Sequence, residues 1–436
     1  MIERAPGPER NPNRGPGPAV ADAASELFDV LVVGAGAAGL WAAGTAAARG
    51  RRVLLLEKNP RVGVKILASG GGHCNLTTTL PVPAVLDAFG RDQGRFLGPS
   101  VRRLPPLALR AAFDALGVPT REGELEKVWP VSHRARDVVD ALVRRAADAG
   151  VQTRTSSPCL ELTRRDGGFL VRTPTATVTA PRVIVTSGGA SYPRAGTTGD
   201  GYRWLAALGH TIVTPVPALA PLVVDVPAVR ALTGISVADA RVRVVEDGAT
   251  RGDRRRPVLF THTGLSGPGP MDVSRWFERA RADGEPSRPT LHVDFAPALD
   301  ERALRDGLDA SIAASPSARL GAALPLALPD RLLRVLALGG GIDPDRRAGE
   351  TPRAVRHAWV HAIKDVVWPV AGTRGFDFAE VTAGGVALDE VEGGTMESRR
   401  VPGLFLAGEI LDVDGPIGGF NFQAAFSTGE TAGRSV

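Results

Sequence analysis

Two short apolar runs, separated by an alanine-rich stretch, dominate the N-terminal part of the chain. Val30–Val33 and Val53–Leu56 each contain four consecutive aliphatic residues. Continuous runs of this length are typical of parallel strands that are buried on both faces. The residues between them, 37–48, are rich in alanine, which is the strongest helix former. The pattern therefore predicts a β-strand, an α-helix and a second, parallel β-strand.

Three glycines lie where the first strand meets the helix. Gly34, Gly36 and Gly39 form the pattern G-x-G-x-x-G, and Glu57 ends the second strand 18 residues beyond Gly39. Gly34 permits a tight turn, Gly36 leaves room for a pyrophosphate, and Gly39 lets the helix approach the strand closely. A carboxylate at the position of Glu57 suits the ribose hydroxyls of an adenosine. The combination predicts a dinucleotide site and disfavours a chance glycine-rich turn.

Two further apolar runs occur much later in the chain. Residues 183–185 lead to Gly188, and Leu404–Leu406 leads to Gly408 and Glu409. An apolar strand without neighbours cannot bury its two faces, so we expect both runs to join the sheet begun by the first two strands. The N-terminal and C-terminal parts of the chain are therefore predicted to form one Rossmann-like α/β domain.

The pattern is different between about residue 209 and about residue 376. Short alternating segments such as 237–245 and 291–295 predict a small antiparallel barrel or sandwich, whereas residues 298–363 have helical periodicity. The helical segments predicted there are 301–314, 329–338 and 352–364. The predicted domains are a disordered tail (1–26), a nucleotide-binding domain in two parts (27–208 and 377–436), a β-barrel insertion in two parts (209–296 and 364–376) and a helical insertion (297–363).

Composition and charge favour a cytoplasmic globular protein. The chain has 436 residues, is 43% hydrophobic and carries a formal net charge of +5. It contains only four lysines, so dispersed arginines carry most of the positive charge, and the cluster at 254–256 is interpreted as a solvated turn. No apolar run is long enough for a bilayer, and no secretory h-region is visible. Cys74 and Cys159 form no C-x-x-C pair, which argues against a disulfide framework.

Other glycine-rich segments suit the remaining parts of a flavin dinucleotide. Gly70–Gly72 would let the backbone lie flat against a ring, and the N–H groups there and at Asn75 could bond its edge. A helix that opens on Gly418 and Gly419 would direct the positive end of its dipole toward a reduced flavin. Glu409 suits the ribityl hydroxyls. The predicted cofactor-binding residues are Gly34, Gly36, Ala37, Ala38, Gly39, Glu57, Lys58, Lys65, Gly70, Gly71, Gly72, Asn75, Gly188, Gly408, Glu409, Gly418, Gly419, Phe420 and Asn421.

The sequence offers only weak catalytic candidates, namely His73, Cys74 and His262. Cys74 has no evident base partner, so a small packed residue is the better interpretation. His262 lies in a turn rich in Gly and Pro that either faces the flavin or is an ordinary connector. No metal site is expected.

Six ordered motifs carry a resemblance to a known family. The motifs are EKNPRVGVKILASGGGHCNLT, SGGASYPRAGTTGDGY, LFTHTGLSGPGP, AEVTAGGV, TMESRRVPGLFLAGEILDVDG and GGFNFQAAFSTG. Together they resemble the YhiN/BaiN-type flavoproteins, NAD(P)/FAD-dependent oxidoreductases also described as the aminoacetone-oxidase family, from about Phe28 to the C-terminus. The resemblance implies an α/β fold with a glutathione-reductase-type FAD domain split across both ends of the chain, an inserted β-barrel and a small all-α domain. It also implies non-covalent FAD. His73 stands where the family commonly has Arg.

Two functions stay open at this point. The first is an FAD-dependent oxidoreductase that moves hydride between NAD(P)H or an organic donor, the flavin and a small organic acceptor such as an enone or imine. The second is an FAD-dependent RNA-modifying protein. Aromatic residues make up only 5% of the chain and arginine is dispersed, which favours a small-molecule substrate over nucleic acid. No second G-x-G-x-x-G follows a buried strand, so NAD(P)H is expected to dock only transiently. The oligomeric state and the physiological substrate stay open.

Overall fold

The computed structural model describes residues 28–284 and 289–436. The tail predicted at 1–26 lies outside the described residues.

Strands and helices are numbered here in chain order. The first segment contains β1 (Val30–Val33), α1 (Ala37–Ala47), β2 (Val53–Leu56), α2 (Val64–Ala68), β3 (Thr77–Thr78), α3 (Val82–Ala88), α4 (Arg91–Arg103), α5 (Pro106–Ala115), β4 (Thr120–Glu122), β5 (Lys127–Pro130), α6 (Ala135–Asp148), β6 (Gln152–Arg154), β7 (Glu161–Arg165), β8 (Gly168–Arg172), β9 (Thr177–Ala180), β10 (Arg182–Val185) and α7 (Asp200–Ala207). The middle segment contains β11 (Ile212–Ala218), β12 (Leu222–Val223), α8 (Pro227–Arg230), β13 (Ser236–Val237), β14 (Arg241–Glu246), β15 (Ala249–Arg255), β16 (Val258–Thr261), β17 (Gly264–Ser266), α9 (Pro268–Asp272), α10 (Ser274–Ala282), β18 (Thr290–Asp294), α11 (Glu301–Ala314), α12 (Asp330–Gly339), α13 (Arg353–Lys364), β19 (Val366–Trp368) and β20 (Gly372–Thr373). The last segment contains β21 (Val381–Val386), β22 (Leu404–Leu406) and α14 (Phe420–Ser435).

A five-stranded parallel sheet forms the centre of the first and last segments, with the order β22-β10-β1-β2-β6. β1 and β2 are fully buried, as expected for aliphatic strands covered on both faces. β22 pairs with β10 although more than 200 residues separate them, with Val183 opposite Leu404. The C-terminal part of the chain therefore completes the sheet begun at Val30, and the predicted mixed α/β, Rossmann-like fold is confirmed.

A buried polar network joins α1 to the C-terminal helix α14. The Glu430 carboxylate accepts hydrogen bonds from Trp41 Nε1 at 2.8 Å and from Thr45 Oγ1 at 2.7 Å. Arg145 of α6 donates to the same Thr45 hydroxyl and to the Trp41 carbonyl oxygen. Since a buried carboxylate is costly without partners, this network fixes how the last helix packs on the first.

The middle segment has its own antiparallel sheets and its own apolar core. The sheets have the orders β13-β16-β17-β12-β20 and β15-β14-β18-β19. A cluster of buried side chains from Leu222 to Trp368, including those of α11, α12 and α13, is separate from the core of the parallel sheet. Two separate cores are what a domain inserted into another domain requires. The domain boundaries given above stay predictions.

The middle segment leaves and rejoins the rest of the chain through one two-stranded ribbon. β11 and β21 pair antiparallel, with Ile212 opposite Val386 and Ala218 opposite Val381. The entry and exit of the segment are therefore adjacent. Among the described residues, no helix is long and apolar enough to cross a membrane.

Candidate functional site

A cavity of about 550 Å³ opens at the carboxyl ends of the parallel strands. The residues that directly follow β1, β2, β10 and β22 all contribute to its wall. In open α/β sheets, ligands bind outside this edge because the loops and helix N-termini converge there. The fold therefore provides one deep site where the sequence motifs predict a dinucleotide.

Most of the predicted cofactor residues line this cavity. They are Gly34, Gly36, Ala37, Ala38, Glu57, Lys58, Lys65, Gly70, Gly71, Asn75, Gly188, Gly408, Glu409, Gly418, Gly419 and Asn421. Gly39, Gly72 and Phe420 do not line it. The Phe420 ring is buried and packs edge-on against Phe89, so its role at the start of α14 is packing.

The glycines at 36 and 39 have different surroundings. A Cβ at Gly36 would meet no atom within 4 Å, because it would point into the cavity. A Cβ at Gly39 would lie 1.8 Å from the Gly34 carbonyl oxygen, inside the packed junction of strand and helix. There is thus free space beside Gly36, where a pyrophosphate would lie. There is none beside Gly39, where the helix packs against the strand.

The Glu57 carboxylate is held in place by backbone donors. Its Oε2 accepts from the Ala35 N–H and its Oε1 accepts from the Asn59 N–H, both at 2.9 Å. A carboxylate offers about four lone-pair sites, so two stay free for the hydroxyls of a ribose. The side chain is 8% exposed and borders the cavity.

A second polar cluster connects four distant segments at the other end of the cavity. Lys65 Nζ lies 2.6 Å from Glu409 Oε2 and 2.7 Å from Ser191 Oγ. Glu409 Oε1 accepts from Ser191 Oγ and from the Thr382 N–H. The predicted ribityl ligand Glu409 is therefore already anchored by three donors, which fixes the orientation of its carboxylate.

The two glycines that precede α14 are closely packed against neighbouring residues. A Cβ at Gly419 would lie 2.2 Å from the Thr77 carbonyl oxygen, and one at Gly418 would lie 2.9 Å from the Phe420 ring. Both residues line the cavity, but glycine is required at 419 by packing against β3.

Several residues with strained backbones surround the cavity. Tyr192 and Leu219, with φ angles of +56° and +49°, line it directly. Cys74 and Glu126, with φ angles of +58° and +57°, immediately precede the lining residues Asn75 and Lys127. Residues other than glycine rarely adopt such angles, and when they do they cluster at functional sites.

Comparison with known proteins identifies the family. The family model described as HI0933-like protein Rossmann domain matches residues 28–435. The chain belongs to this family. A ribosomal RNA dihydrouridine synthase from Escherichia coli (strain K12) is 32% identical over 406 residues, which cover 92% of this chain and 96% of that protein. A 3-dehydro-bile acid delta(4,6)-reductase from Clostridium scindens is 30% identical over 410 residues, which cover 93% and 98%.

Among solved structures, the open conformation of a flavocytochrome c3 fumarate reductase is similar to this HI0933-like protein with a TM-score of 0.49. It is 17% identical, and the match covers 94% of this chain and 78% of that one. The family match and the reductase relative confirm the YhiN/BaiN resemblance and make the protein an FAD-dependent oxidoreductase.

The residues at the cavity suit FAD. The free space beside Gly36, the start of α1 and the anchored Glu57 match a diphosphate and a ribose. The Ser187 hydroxyl, on the same wall, is buried and has no hydrogen-bond partner in the described part of the chain. A buried hydroxyl without a partner is costly, so it needs a ligand or a water.

The three catalytic candidates are placed differently in this HI0933-like protein. Cys74 is fully buried, and burial raises the pKa of its thiol to about 12, so it stays protonated and inaccessible. His262 is exposed in the β16–β17 turn and does not line the cavity. His73 lies at the rim, where its Nδ1 donates to the His133 carbonyl oxygen at 2.8 Å. None of the three faces the space of the cavity.

Sequence reasoning missed three side chains that do face it, namely Lys127, Trp129 and Glu380. Trp129 lies over the glycine loop, since a Cβ at Gly70 would be 2.8 Å from its ring. Lys127 Nζ lies 5.8 Å from the centre of the Trp129 ring. Glu380 precedes β21 in the motif AEVTAGGV. A charged residue directly before an apolar strand was the available signal for Glu380.

Proposed function

We propose that this protein uses FAD to reduce a carbon–carbon double bond that is conjugated to a carbonyl group. Two relatives that align with more than nine-tenths of the chain support this class. The name of one describes the saturation of a uracil ring in RNA, and that of the other describes the reduction of double bonds in a 3-dehydro bile acid. Both names describe addition of two hydrogens across a bond of this kind.

One cavity joins the cofactor residues to an acceptor region, and this observation carries the proposal. Gly36 and Glu57 line this cavity, and so do Lys127, Trp129 and Glu380. Bound FAD would supply hydride equivalents there. A substrate that entered beside Trp129 would lie in space that no other part of the protein fills.

Lys127 is proposed to bind the carbonyl oxygen of the acceptor. Among the described residues its ammonium group has no hydrogen bond or ion pair, and its contact is the face of Trp129. A positive charge at the carbonyl oxygen stabilises the negative charge that develops there when hydride adds to the β carbon. Lys65 has a different role, because Glu409 and Ser191 already hold its ammonium group.

The cofactor assignment and the domain organisation belong to the same proposal. FAD would be held by the predicted residues that line the cavity, and NAD(P)H would be a transient hydride donor. Residues 209–296 and 364–376 would form the inserted β-barrel and 297–363 the small all-α domain. Their apolar core is separate from that of the parallel sheet, which supports the insertion of the whole segment.

RNA is a second candidate substrate because aromatic and basic side chains meet at the rim of the cavity. The His73 ring lies 5.4 Å from His133 and 6.2 Å from Trp129, and Lys127 Nζ lies 5.8 Å from the centre of the Trp129 ring. Unpaired bases stack on aromatic rings, and cationic side chains bind the phosphates beside them. A uridine taken out of its stack could then reach the cavity.

Anaerobic single-turnover kinetics test the proposal. The holoprotein is reduced with NADH, NADPH or dithionite and mixed with 2-cyclohexen-1-one, with a Δ4-3-oxosteroid, or with a ribosomal RNA transcript. Flavin reoxidation together with a product that has gained two hydrogens is the expected result for at least one acceptor. For the transcript, dihydrouridine in a nuclease digest is the readout. If no acceptor is reduced faster than in a protein-free control, the proposal fails.

A further inference from the structure

The Glu380 carboxylate faces the cavity and is not used by any contact within the protein. Its backbone is fixed, since its N–H donates to the Leu219 carbonyl oxygen at 3.2 Å and its carbonyl oxygen accepts from Ser191 Oγ at 3.4 Å. Its side chain lines the cavity and is exposed to that space. In the described part of the chain, no hydrogen bond or ion pair involves its carboxylate. The group is therefore free to act on a bound molecule.

The surroundings of Glu380 favour the protonated acid. Its side chain is exposed to the cavity but surrounded by protein, and this burial raises the pKa of the carboxyl group, while the charges of Lys127 and Lys65 lower it. The negative charge of Glu409 offsets that of Lys65. Asp272 of α9 is close enough for Glu380 to raise its pKa. A bound cofactor and acceptor would exclude water and strengthen the effect of burial.

Other proton donors near the cavity are less suited to supply a proton. The Cys74 thiol and the Tyr202 hydroxyl do not line the cavity, and burial raises the pKa of both groups. Tyr192 lines the cavity and is 37% exposed, so it is the one competing donor among the described tyrosines.

We propose that Glu380 is the catalytic acid that protonates the acceptor carbon next to the carbonyl group. This inference rests on the proposed function. The conjugated double bond receives hydride at its β carbon and the Glu380 proton at its α carbon. The acceptor gains two hydrogens, the reduced flavin loses two electrons and one proton, and water returns a proton to the Glu380 carboxylate. Lys127 and Glu380 line the same cavity, and the proposal requires that one acceptor contacts both.

The test compares Glu380→Gln and Glu380→Asp with the wild-type holoprotein. Oxidation of the reduced flavin by 2-cyclohexen-1-one or by the RNA transcript requires protonation of carbon, whereas oxidation by ferricyanide does not. Glu380→Gln should slow the first reaction by about 100-fold or more and leave the second unchanged, since general acids contribute about 10²- to 10⁴-fold. Glu380→Asp should recover part of the rate. The wild-type rate should fall as pH rises through the pKa of Glu380, and this dependence should be absent in Glu380→Gln.

Infrared difference spectra give a readout that is independent of turnover. The oxidised wild-type protein should show the bands of two protonated carboxylic acids that titrate above their usual range, those of Glu380 and Asp272, and Glu380→Gln should lack the first while Asp272→Asn lacks the second. Glu124→Gln is the matched control, because Glu124 is exposed and does not line the cavity. It should retain both bands and the rates.

The results distinguish failure of the proposed function from failure of the inference about Glu380. If the wild type reduces neither acceptor, the proposed function fails, and this inference with it. If the wild type reduces an acceptor and Glu380→Gln does so equally fast with the same pH profile, only the inference is overturned. It is also overturned if Tyr192→Phe, and not Glu380→Gln, removes the pH dependence. A loss of FAD or an equal slowing with ferricyanide would mean that Glu380 is structural.

Discussion

The Asp272 carboxylate, at the end of α9 in the middle segment, accepts a hydrogen bond from the Ile417 N–H at 2.8 Å. Ile417 immediately precedes the two glycines that begin α14, and all three residues line the cavity. The nearby pair Arg275–Asp414, at 2.7 Å, fixes the same loop. The middle segment therefore holds in place the loop at which the predicted FAD site ends.

Removing this contact should weaken FAD binding. Asp272→Ala should raise the Kd for FAD by about tenfold, because loss of one buried hydrogen bond costs about 1–2 kcal/mol. Asp272→Asn keeps an acceptor oxygen and should bind FAD nearly as the wild type does. Quenching of FAD fluorescence by the apoprotein measures both constants. Equal affinity of Asp272→Ala and the wild type would show that the loop is held by other contacts.

Asp272 should also make stability depend on pH. Burial raises its pKa from 3.8 to about 6, assisted by Glu380 and opposed by the Ile417 hydrogen bond and by Arg254 and Arg256. The folded state therefore holds a proton that the unfolded state has released. The free energy of unfolding should fall as pH rises from about 4 to about 6, by up to roughly 3 kcal/mol. Urea titrations of the wild type and Asp272→Asn measure this. A difference between the two that does not vary with pH would contradict the assignment.

Two valine substitutions in the glycine motif should have different effects, one on FAD binding and the other on folding. Gly36→Val fills only the space reserved for pyrophosphate, so the apoprotein should keep its Tm while FAD binding, expected at about one per chain, is abolished. Gly39→Val places a side chain against the Gly34 carbonyl oxygen and should prevent folding. Flavin content and thermal unfolding separate the two effects. A Gly36→Val protein that purifies yellow would contradict the cofactor site.

Trp129→Ala should distinguish the two candidate substrates. Loss of one stacked base costs about 1–3 kcal/mol, so RNA affinity should fall by roughly tenfold or more. Reduction of 2-cyclohexen-1-one should change less. Filter binding at several salt concentrations gives the affinity, and Leu107→Ala, which removes a side chain that is 75% exposed, is the control. Equal RNA binding by the wild type and Trp129→Ala would remove the support for an RNA substrate at this rim.

Gly419→Ala should reduce the stability of the apoprotein more than it changes the properties of the flavin. Its φ angle is +89°, and the added methyl group would meet the Thr77 carbonyl oxygen. We expect the apoprotein to lose about 2–4 kcal/mol of stability, measured by denaturation without FAD. If stability is unchanged and only the flavin potential shifts, close approach of the flavin ring, and not packing against Thr77, explains the glycine at 419.

Local patterns in the sequence were enough for four of the five strands of the parallel sheet, but not for β6, which is short and polar. Val30–Val33, Val53–Leu56 and Leu404–Leu406 have the predicted bounds, because a continuous aliphatic run and its flanking glycines are features of adjacent residues. The helix Glu301–Ala314 was also predicted with its observed ends. These elements depend on periodicity and capping, both of which are local.

The acceptor side of the cavity could not be predicted in the same way. Glu380, Lys127 and Trp129 lie on different segments, and no spacing in the sequence relates them. The close packing of Gly419 against Thr77 could not be predicted either, because the two residues are more than 300 positions apart along the chain. Such relationships arise only when the chain has folded.

The pairing of β11 with β21 brings the two ends of the middle segment together. Because Ala218 and Val381 are direct partners, the segment between them begins and ends on adjacent strands, and a change in its length need not disturb the parallel sheet. Evolution could therefore change this segment and alter the choice of acceptor, provided that the contacts of Asp272 and Arg275 with the loop before α14 are kept. Different acceptors could then arise from changes within one inserted segment, while the parallel sheet stays the same.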